Sequence, residues 1–237
     1  MDKNWECVKK NAMDYLGGSD GVSSSGPILD RIGESLKFEM NIDIKHLLFK
    51  LSRYKFAAKL FRFCEQVDIL ELGCGEAIGS LLLLQNMDIS SYVGIDFDKA
   101  SIQWNKANLI DERLTFVDDD FNNCSTIEGR RFDAILSLDV IEHIPHDMEE
   151  TFSRTIVNHL NRQGVTLIGT PHVNMDPYAS PSSKIGHINL FDQQRLYELM
   201  KKSFENVFIF NMNDENVNMS FDKMSCYIFA LCCNPII

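Results

Sequence analysis

The feature of this sequence that most constrains its fold is an apolar run that breaks at a glycine turn and then resumes. Residues 67–72 have the composition of a buried β-strand, Gly73 and Gly75 follow, and leucines stand at 81–84. This order predicts a strand, a tight turn and a helix. Glycine permits positive φ and lets a ligand approach the backbone, and the start of the helix offers unpaired N–H groups. The unit therefore predicts a cofactor that lies across the turn.

A second apolar strand ends at Asp96, about 20 residues beyond the turn, where an acid is placed to bind the hydroxyls of a ribose. The full dinucleotide fingerprint is not met, because Ala77 stands where a third glycine is expected. A nicotinamide-dependent dehydrogenase is the main alternative on grounds of fold alone. Glu71 just before the turn and Cys74 inside it argue against that alternative.

Alternating strand and helix patterns continue towards the end of the chain and predict the fold class. Further strands are predicted at 114–117, 132–138, 165–171, 204–211 and 226–232, helices at 99–108, 148–160 and 193–202, and a turn at 161–164. Asp192 is the predicted N-cap of the last helix, because its side chain accepts hydrogen bonds from free N–H groups. The pattern predicts an α/β fold with a Rossmann-like, doubly wound, mainly parallel seven-stranded sheet, an antiparallel last strand and an N-terminal helical cover.

We interpret residues 1–237 as a single domain, in which residues 1–63 cover a cofactor-binding core at 64–237. Apolar residues recur at helical spacing between 28 and 63 and predict two helices. The Gly- and Ser-rich segment 17–27 has no regular pattern. It is either a flexible linker or a lid that orders over the substrate, and the sequence leaves both interpretations open.

Composition narrows the class of protein and its partners. The formal net charge is -11, so the phosphates of DNA or RNA would be repelled. The odd number of cysteines, 7, without the paired spacing of metal ligands, favours reduced thiols over a disulfide framework. The chain has no basic and apolar leader and no run of about 18 apolar residues. We therefore expect a cytoplasmic protein, a monomer or homodimer, with a small-molecule substrate, no nucleic-acid partner and no membrane partner.

Two motifs resemble one known family. Glu71-x-Gly73-x-Gly75, followed by Asp96, is similar to the cofactor loop and the ribose-binding acid of class I S-adenosylmethionine-dependent methyltransferases. The run 132–145, FDAILSLDVIEHIP, resembles the fourth motif of the small-molecule methyltransferases of the ubiquinone-biosynthesis type. The chain is also similar to methyltransferases of bacterial surface-polysaccharide clusters. The resemblance covers residues 65–170 and implies methyl transfer from S-adenosyl-L-methionine.

The resemblance also implies where the cofactor is bound. The glycine loop would cradle its methionine moiety, Asp96 its ribose, and an acid followed by an apolar residue its adenine amino group. Asp120 before Phe121 matches that acid best, and Asp119 is the rival, although a run of acids is also typical of a solvated turn. The implied cofactor-binding residues are Glu71, Gly73, Cys74, Gly75, Asp96, Phe97, Asp119, Asp120, Phe121, Leu138 and Asp139.

Methyl transfer from a sulfonium places donor, methyl carbon and acceptor in line, so an enzyme gains most by positioning the acceptor and removing its proton. The candidate catalytic residues are His187, His143 and Glu142, at or beyond the end of the fourth strand. His187 is the first choice because it lies in the long loop at 171–191, which we assign to the substrate. A neutral imidazole is a suitable base for a hydroxyl near neutral pH.

A divalent metal is a second hypothesis for the same residues. Asp139-x-x-Glu142-His143 with the distant His187 resembles the metal-binding motif of the small-RNA 2′-O-methyltransferases and of some Mg²⁺-dependent quinone-pathway enzymes, with Asp in place of the first Glu. A metal would lower the pKa of the acceptor. The sequence favours the simpler interpretation, in which no metal is bound and Glu142 and His143 brace the helix after the fourth strand.

The predicted acceptor is a hydroxyl of a sugar or of a nucleotide-linked intermediate in small-molecule or polysaccharide biosynthesis, because the substrate loop is rich in His, Ser and Asn. One alternative is N-methylation of a small amine or amide. Another is a non-catalytic, methyltransferase-like scaffold. The complete set of glycines and acids in the cofactor motifs argues against a scaffold, since a protein that binds no cofactor does not need them.

Overall fold

The structure, a computed structural model, describes Gly33, Lys37 and residues 44–62, 64–122 and 124–236. The segment 17–27, predicted to be a linker or a lid, and most of the predicted helical region before residue 44 lie outside these residues. The helices are α1 (Ile44–Phe61), α2 (Ile78–Asn86), α3 (Lys99–Asn108), α4 (Glu149–His159), α5 (Pro181–Gly186) and α6 (Gln193–Lys201). The strands are β1 (Val67–Leu72), β2 (Ile89–Asp96), β3 (Leu114–Asp118), β4 (Phe132–Leu138), β5 (Leu160–Pro171), β6 (Phe204–Asn213), β7 (Asn216–Asn218) and β8 (Tyr227–Pro235).

The strands form one sheet in the order β3-β2-β1-β4-β5-β8-β6-β7. The five strands from β3 to β5 are parallel, and β8 runs antiparallel between β5 and β6. This confirms the predicted doubly wound, mainly parallel sheet with an antiparallel last strand. The short β7 pairs only with β6 and adds an eighth strand that the sequence did not predict. The strand order reverses at β1, so ligands are expected at the carboxyl ends of β1, β2 and β4.

Apolar side chains on both faces of the sheet form two cores. Successive residues of β1 point to opposite faces, so Ile69 belongs to one core and Leu70 to the other. Helices α1, α2 and α3 cover the first core, and α4 and α6 cover the second. Phe152 of α4 is fully buried, and burial of such a side chain stabilises the fold by roughly 1.5–3 kcal/mol.

The start of β5 differs from the prediction. Residues 161–164, predicted as a turn, belong to the strand, and its pairing with β4 shifts register so that Phe132 faces Leu160 while Ala134 faces Val165. The irregular segment is held by side chains, since Asn161 Nδ2 donates to Asp133 Oδ1 at 2.7 Å. A turn-like sequence is thus absorbed into a distorted strand, whose first carbonyl, that of Leu160, accepts a hydrogen bond from Arg131 Nη1 at 2.6 Å.

The loop between β5 and α6, at 172–192, lies at the carboxyl end of the parallel strands. It contains a 3₁₀ turn (Val173–Tyr178) and the short helix α5. Asp192 then caps α6, because its Oδ1 accepts a hydrogen bond from the Arg195 N–H at 2.8 Å, as predicted. None of the helices in the described part of the chain combines the length and the apolar character needed to cross a membrane. The cysteines of this part are free thiols.

Candidate active site

The glycine turn after β1 has the backbone that its sequence predicts. Gly73 has φ +78° and Gly75 has φ +50°. A Cβ at Gly73 would lie 2.2 Å from Val140 Cγ2, so close packing also requires glycine there. Ala77 adopts φ +48° where the third glycine is missing, and this left-handed conformation costs a non-glycine residue roughly 1–2 kcal/mol.

Asp96 joins the end of β2 to this turn. Its Oδ2 accepts from the Gly75 N–H at 2.7 Å, and its Oδ1 accepts from the Asp98 N–H at 2.9 Å. From the other side, Asn105 Nδ2 donates to the Gly75 carbonyl at 2.7 Å. The turn and the acid are therefore held as one unit. Phe97, the next residue along the chain, is 80% exposed.

A cavity of about 250 Å³ opens between the glycine turn, β2 and the end of β4. It is lined by Lys50, Tyr54, Gly73, Cys74, Gly75, Glu76, Ala77, Ile78, Asp96, Ser101, Leu138 and Asp139. A Cβ built on Gly75 meets no atom within 4 Å, so the backbone there faces open space. An elongated cofactor can lie against this part of the turn, with the Asp96 carboxylate at its side.

Cys74 and Leu138 lie at the inner wall of the cavity, and both are buried. The thiol of Cys74 packs against β2, where a Cβ on Gly94 would lie 2.9 Å from its Sγ. Burial raises the pKa of the Cys74 thiol well above its ordinary value, so the group stays protonated and has little nucleophilic character. These two residues therefore shape the cavity and supply no charge.

Glu71 lies behind the glycine turn, although the resemblance implies that it contacts the cofactor. Its carboxylate is fully buried and accepts hydrogen bonds from two tyrosine hydroxyls, that of Tyr54 at 2.5 Å and that of Tyr92. Burial raises the pKa of Glu71 to about 7, against the opposing effect of the two hydrogen bonds. In this arrangement Glu71 fastens α1 to β1 and β2, and the cavity wall is formed by Tyr54 instead.

Asp139, at the end of β4, has a strained backbone with φ +58°. Its carboxylate pairs with the buried guanidinium of Arg53, which also lies over the ring of Tyr227 at 3.9 Å from the centroid. The Asp139 N–H donates to the Gly169 carbonyl at 3.0 Å. The side chain is thus held towards α1 and the cavity.

Glu142, His143 and His187 come together at the same edge of the sheet. Their ligating atoms lie within 4.8 Å of one another, and the rings of the two histidines are 5.0 Å apart between centroids. Asp139 does not belong to this group. The structure therefore assembles the three residues predicted to be catalytic and separates them from the fourth member of the predicted metal motif.

The carboxyl group of Glu142 is buried in this cluster. Thr170 Oγ1 donates to its Oε2 at 3.0 Å, whereas its Oε1 has no hydrogen-bond partner among the described residues. Burial, and then the nearby charge of Asp139, raises the pKa of Glu142 to about 8. Glu142 is therefore largely protonated at neutral pH unless a cation or a substrate group compensates its charge.

The hydrogen bonds of His143 define its tautomer. Its Nδ1 lies 2.9 Å from the Gly186 carbonyl oxygen, and a carbonyl can only accept, so Nδ1 carries the proton. Nε2 lies 4.0 Å from Glu142 Oε1, and in the neutral ring it faces this oxygen with its lone pair. Burial, and then the neighbouring His143, lowers the pKa of His187 below its ordinary value, so His187 is neutral at pH 7.

In the acidic turn after β3, the Asp119 carboxylate accepts hydrogen bonds from a nearby residue of the same loop. Asp119 Oδ2 accepts from the N–H and the hydroxyl of Thr126 at 3.1 and 2.8 Å. Asp120 is exposed, and neither acid lines the cavity described above. Phe121 packs edge-on against Phe152 of the core, 5.5 Å between ring centroids. These three residues therefore stay candidates for adenine binding on their position in the chain alone.

Sequence reasoning missed several residues that complete the site. Lys50, Arg53 and Tyr54 come from α1, and Tyr227 comes from β8. Their helical or strand spacing was visible, but spacing does not show which distant residue a side chain meets. One sequence feature could have indicated these residues: polar side chains occur on a helix that was expected to cover the sheet.

Solved structures share this fold. The methyltransferase domain of the bacterial protein CtHen1-C superposes with a TM-score of 0.64 at 14% identity, over 78% of this chain and 99% of that one. A SAM-dependent methyltransferase from Archaeoglobus fulgidus gives 0.61 at 14%, over 84% and 99%. The N-methyltransferase NodS from Bradyrhizobium japonicum WM9, in complex with S-adenosyl-L-homocysteine, gives 0.57 at 15%, over 79% and 88%. A comparison with curated proteins finds no match.

Residues 69–164 match the family model described as a methyltransferase domain. These residues hold the glycine turn, Asp96 and the end of β4, which form the cavity. Residues 69–164 therefore match a methyltransferase domain, and the sheet that they help to form has the fold of the solved methyltransferases. It is an enzyme that uses S-adenosylmethionine as methyl donor, and the nicotinamide-dependent alternative is set aside.

Proposed function

We propose that this methyltransferase methylates a hydroxyl group of a small polar acceptor, and that Glu142, His143 and His187 form the acceptor side of its active site. The observation that supports this most is the convergence of the three side chains at the edge of the sheet where the cofactor cavity opens. When bound, S-adenosylmethionine supplies an electrophilic methyl group. The protein has to align the acceptor oxygen with it and accept the oxygen's proton.

His187 is the proposed proton acceptor. Its lowered pKa keeps the imidazole neutral near pH 7, as a base must be. His143 cannot donate from Nε2 in its present tautomer, so it orients the acceptor by accepting a hydrogen bond or stabilises the proton taken up by His187. The protonated carboxyl of Glu142 can donate a hydrogen bond to an acceptor oxygen.

The surroundings of His187 bear on the class of acceptor. Tyr178, Ile185 and Ile188 in the same loop are 80%, 81% and 55% exposed. An acceptor whose hydroxyl is attached to an aromatic ring or another apolar part would cover these side chains. Sugars and nucleotide-linked sugars, proposed from the sequence, should therefore be screened together with phenols. The net charge of -11 supports a small molecule over a nucleic acid.

A divalent cation is the second candidate, and the cluster itself supports it. The free Oε1 of Glu142 and the lone pair of His143 Nε2 face each other. A ring N–H bonded to a backbone carbonyl, as in His143, is typical of metal-ligating histidines. Two imidazoles and one carboxylate suit Mn²⁺, Fe²⁺, Co²⁺ or Zn²⁺ better than Mg²⁺. A cation held by these residues would bind the acceptor oxygen and lower its pKa.

An acceptor screen tests the proposed function. Sugars, nucleotide-linked sugars, phenols and small amines are incubated with a labelled methyl donor, with and without chelator, and the product is analysed for O- or N-methylation. We expect O-methylation. His159→Gln is the matched control for His187→Gln, because His159 is half-buried at the opposite edge of the sheet, where β5 begins. Turnover of amines alone, with His187→Gln as active as the control, would show that the acceptor assignment is wrong.

A further inference from the structure

The loop that carries His187 is attached to the turn that carries Glu142 and His143 by a buried residue, Asn189, through its backbone and its side chain. The Asn189 N–H donates to the Glu142 carbonyl at 3.0 Å, and Asn189 Nδ2 donates to the Ile144 carbonyl at 2.9 Å. Asn189 is 1% exposed. Its hydrogen bonds thus reach both sides of His143, from a position two residues beyond His187.

The amide of Asn189 is itself held in one orientation. Arg195 Nη2 donates to Asn189 Oδ1 at 2.6 Å, and Asn189 Nδ2 donates to Glu149 Oε1 at 2.8 Å. Arg195 also pairs with Glu149. A rotation of the amide by half a turn would place its NH₂ group against the guanidinium, so this network permits only one orientation.

Arg195 is fixed in turn by the start of α6. Its Nη1 donates to the Leu190 carbonyl at 2.6 Å, and its guanidinium lies over the ring of Phe191 at 3.8 Å from the centroid. Phe191 is fully buried in the core. A continuous series of contacts therefore runs from Phe191 in the core through Arg195 to Asn189.

The loop is also fixed on the other side of His187. The Gly186 carbonyl accepts from His143 Nδ1, and a Cβ on Gly186 would lie 3.1 Å from His143 Cε1. His187 therefore stands between two attachments to the same turn, one at Gly186 and one at Asn189. The position of its ring relative to His143 depends on both.

We propose that Asn189 is a positioning residue, which holds His187 against His143 and Glu142, and that Arg195 orients its amide. This inference rests on the proposed role of His187 as proton acceptor. Asn189 touches neither cofactor nor acceptor in this role. It acts through the loop, whose register it sets relative to the Glu142 turn.

The test measures the ring of His187 directly, so it does not depend on knowing the acceptor. The full chain with selectively labelled histidines, saturated with S-adenosyl-L-homocysteine, is titrated by NMR as wild type, Asn189→Ala and Asn174→Ala. Asn174 is the matched control, because it lies in the same loop as Asn189 while its side chain donates to the carbonyl of Lys223, which lies between β7 and β8. We expect the apparent pKa of His187 to rise towards that of free imidazole in Asn189→Ala only.

Turnover is then compared on an acceptor found by the screen. Asn189→Ala should lower kcat at least tenfold and leave the KM for S-adenosylmethionine unchanged. Unchanged histidine titrations together with unchanged kcat in Asn189→Ala would overturn the proposal. The variant His187→Ala separates the proposed role of His187 from the proposed role of Asn189. Full turnover of His187→Ala would show that His187 is not the base, whereas the histidine titration of Asn189→Ala would still show whether Asn189 positions the ring.

A second variant serves if Asn189→Ala does not fold. Arg195→Lys keeps a positive charge beside Glu149 but cannot donate to both the Leu190 carbonyl and Asn189 Oδ1. We expect the same changes in the titration of His187 and in kcat, of smaller size. Wild-type behaviour of folded Arg195→Lys, confirmed by its thermal unfolding, would contradict a role of the network in positioning.

Discussion

Arg53 pairs with Asp139 across 86 residues of sequence. The guanidinium comes from α1, outside the part of the chain that matches the methyltransferase family, and the carboxylate stands at the end of β4 on the wall of the cavity. The ion pair therefore makes α1 part of the active site. With the bond from Tyr54 to Glu71, it anchors the helix at two successive residues.

Removal of Arg53 should therefore destabilise the protein. Breaking a fully buried ion pair by removal of one partner costs roughly 3–5 kcal/mol. The side chain of Asp139 is 31% exposed, so water can solvate its charge when Arg53 is removed. We expect Arg53→Met to lower the free energy of unfolding by less than this range, measured by urea denaturation. The double variant Arg53→Met, Asp139→Asn should recover part of the loss. Equal stability of Arg53→Met and wild type would show that the pair contributes little.

The two glycines of the turn should respond differently to alanine. Gly73→Ala introduces a clash with Val140 in addition to the strain of positive φ, whereas Gly75→Ala introduces only the strain, of roughly 1–2 kcal/mol. We expect Gly73→Ala to unfold at a lower temperature than Gly75→Ala, and Val140→Ala to rescue Gly73→Ala in part. Calorimetric titration with S-adenosyl-L-homocysteine should show weakened binding to Gly75→Ala, because its methyl group enters the open cavity.

Asp96 should dominate cofactor affinity. We propose that its carboxylate accepts two charge-assisted hydrogen bonds from the ribose of the cofactor, each worth roughly 1.5–3 kcal/mol. Asp96→Ala should raise the Kd of S-adenosylmethionine by about 100-fold or more. Asp98→Ala is the control, because it removes the N-cap of α3 and the hydrogen bond from the Ser101 hydroxyl but leaves the Asp96 carboxylate in place. Equal affinities of the two variants in calorimetric titration would contradict the assignment of Asp96.

The sequence predicted the parts of this architecture that depend on local pattern. The strand 132–138 and the helix 99–108 have the predicted ends. A buried strand is recognisable as an apolar run, and a capped helix by the residue that precedes it. The distorted start of β5 was missed, since residues 161–164 resemble a turn until Asp133 and its neighbours supply hydrogen bonds.

The candidate site was predictable only in part. Glu142, His143 and His187 were singled out because they follow strands at the ligand edge. The burial of Glu71 between two tyrosines was not predictable, because nothing local shows that Tyr54 and Tyr92 meet at one carboxylate. Long-range pairs of this kind are decided by the packing of whole elements.

Glu71 should make stability depend on pH. Its pKa is near 4.5 in the unfolded chain and about 7 in the fold, so the folded state binds the extra proton between these values. The contribution of Glu71 to the free energy of unfolding is present in full below pH 4.5 and is lost as the pH rises through 7. The loss amounts to about 3 kcal/mol, from the size of the shift. Glu71→Gln should make this decline smaller in urea denaturation between pH 4.5 and 8 without removing it, because the pKa of Glu142 is raised as well, to about 8. A decline of unchanged size in Glu71→Gln would show that Glu71 is not responsible.

The pH dependence of turnover should identify how the acceptor loses its proton. If His187 is the base, kcat rises with pH through a value below 6.5, because the pKa of His187 is lowered and only the neutral ring accepts a proton. His187→Ala should then lower kcat by about 10²–10⁴, and chelator should have no effect. If a cation is used, dialysis against chelator should abolish turnover, and Mn²⁺ or Co²⁺ should restore it. Glu142→Gln and His143→Ala should then need more metal for half-maximal activity, whereas the control His159→Gln should not.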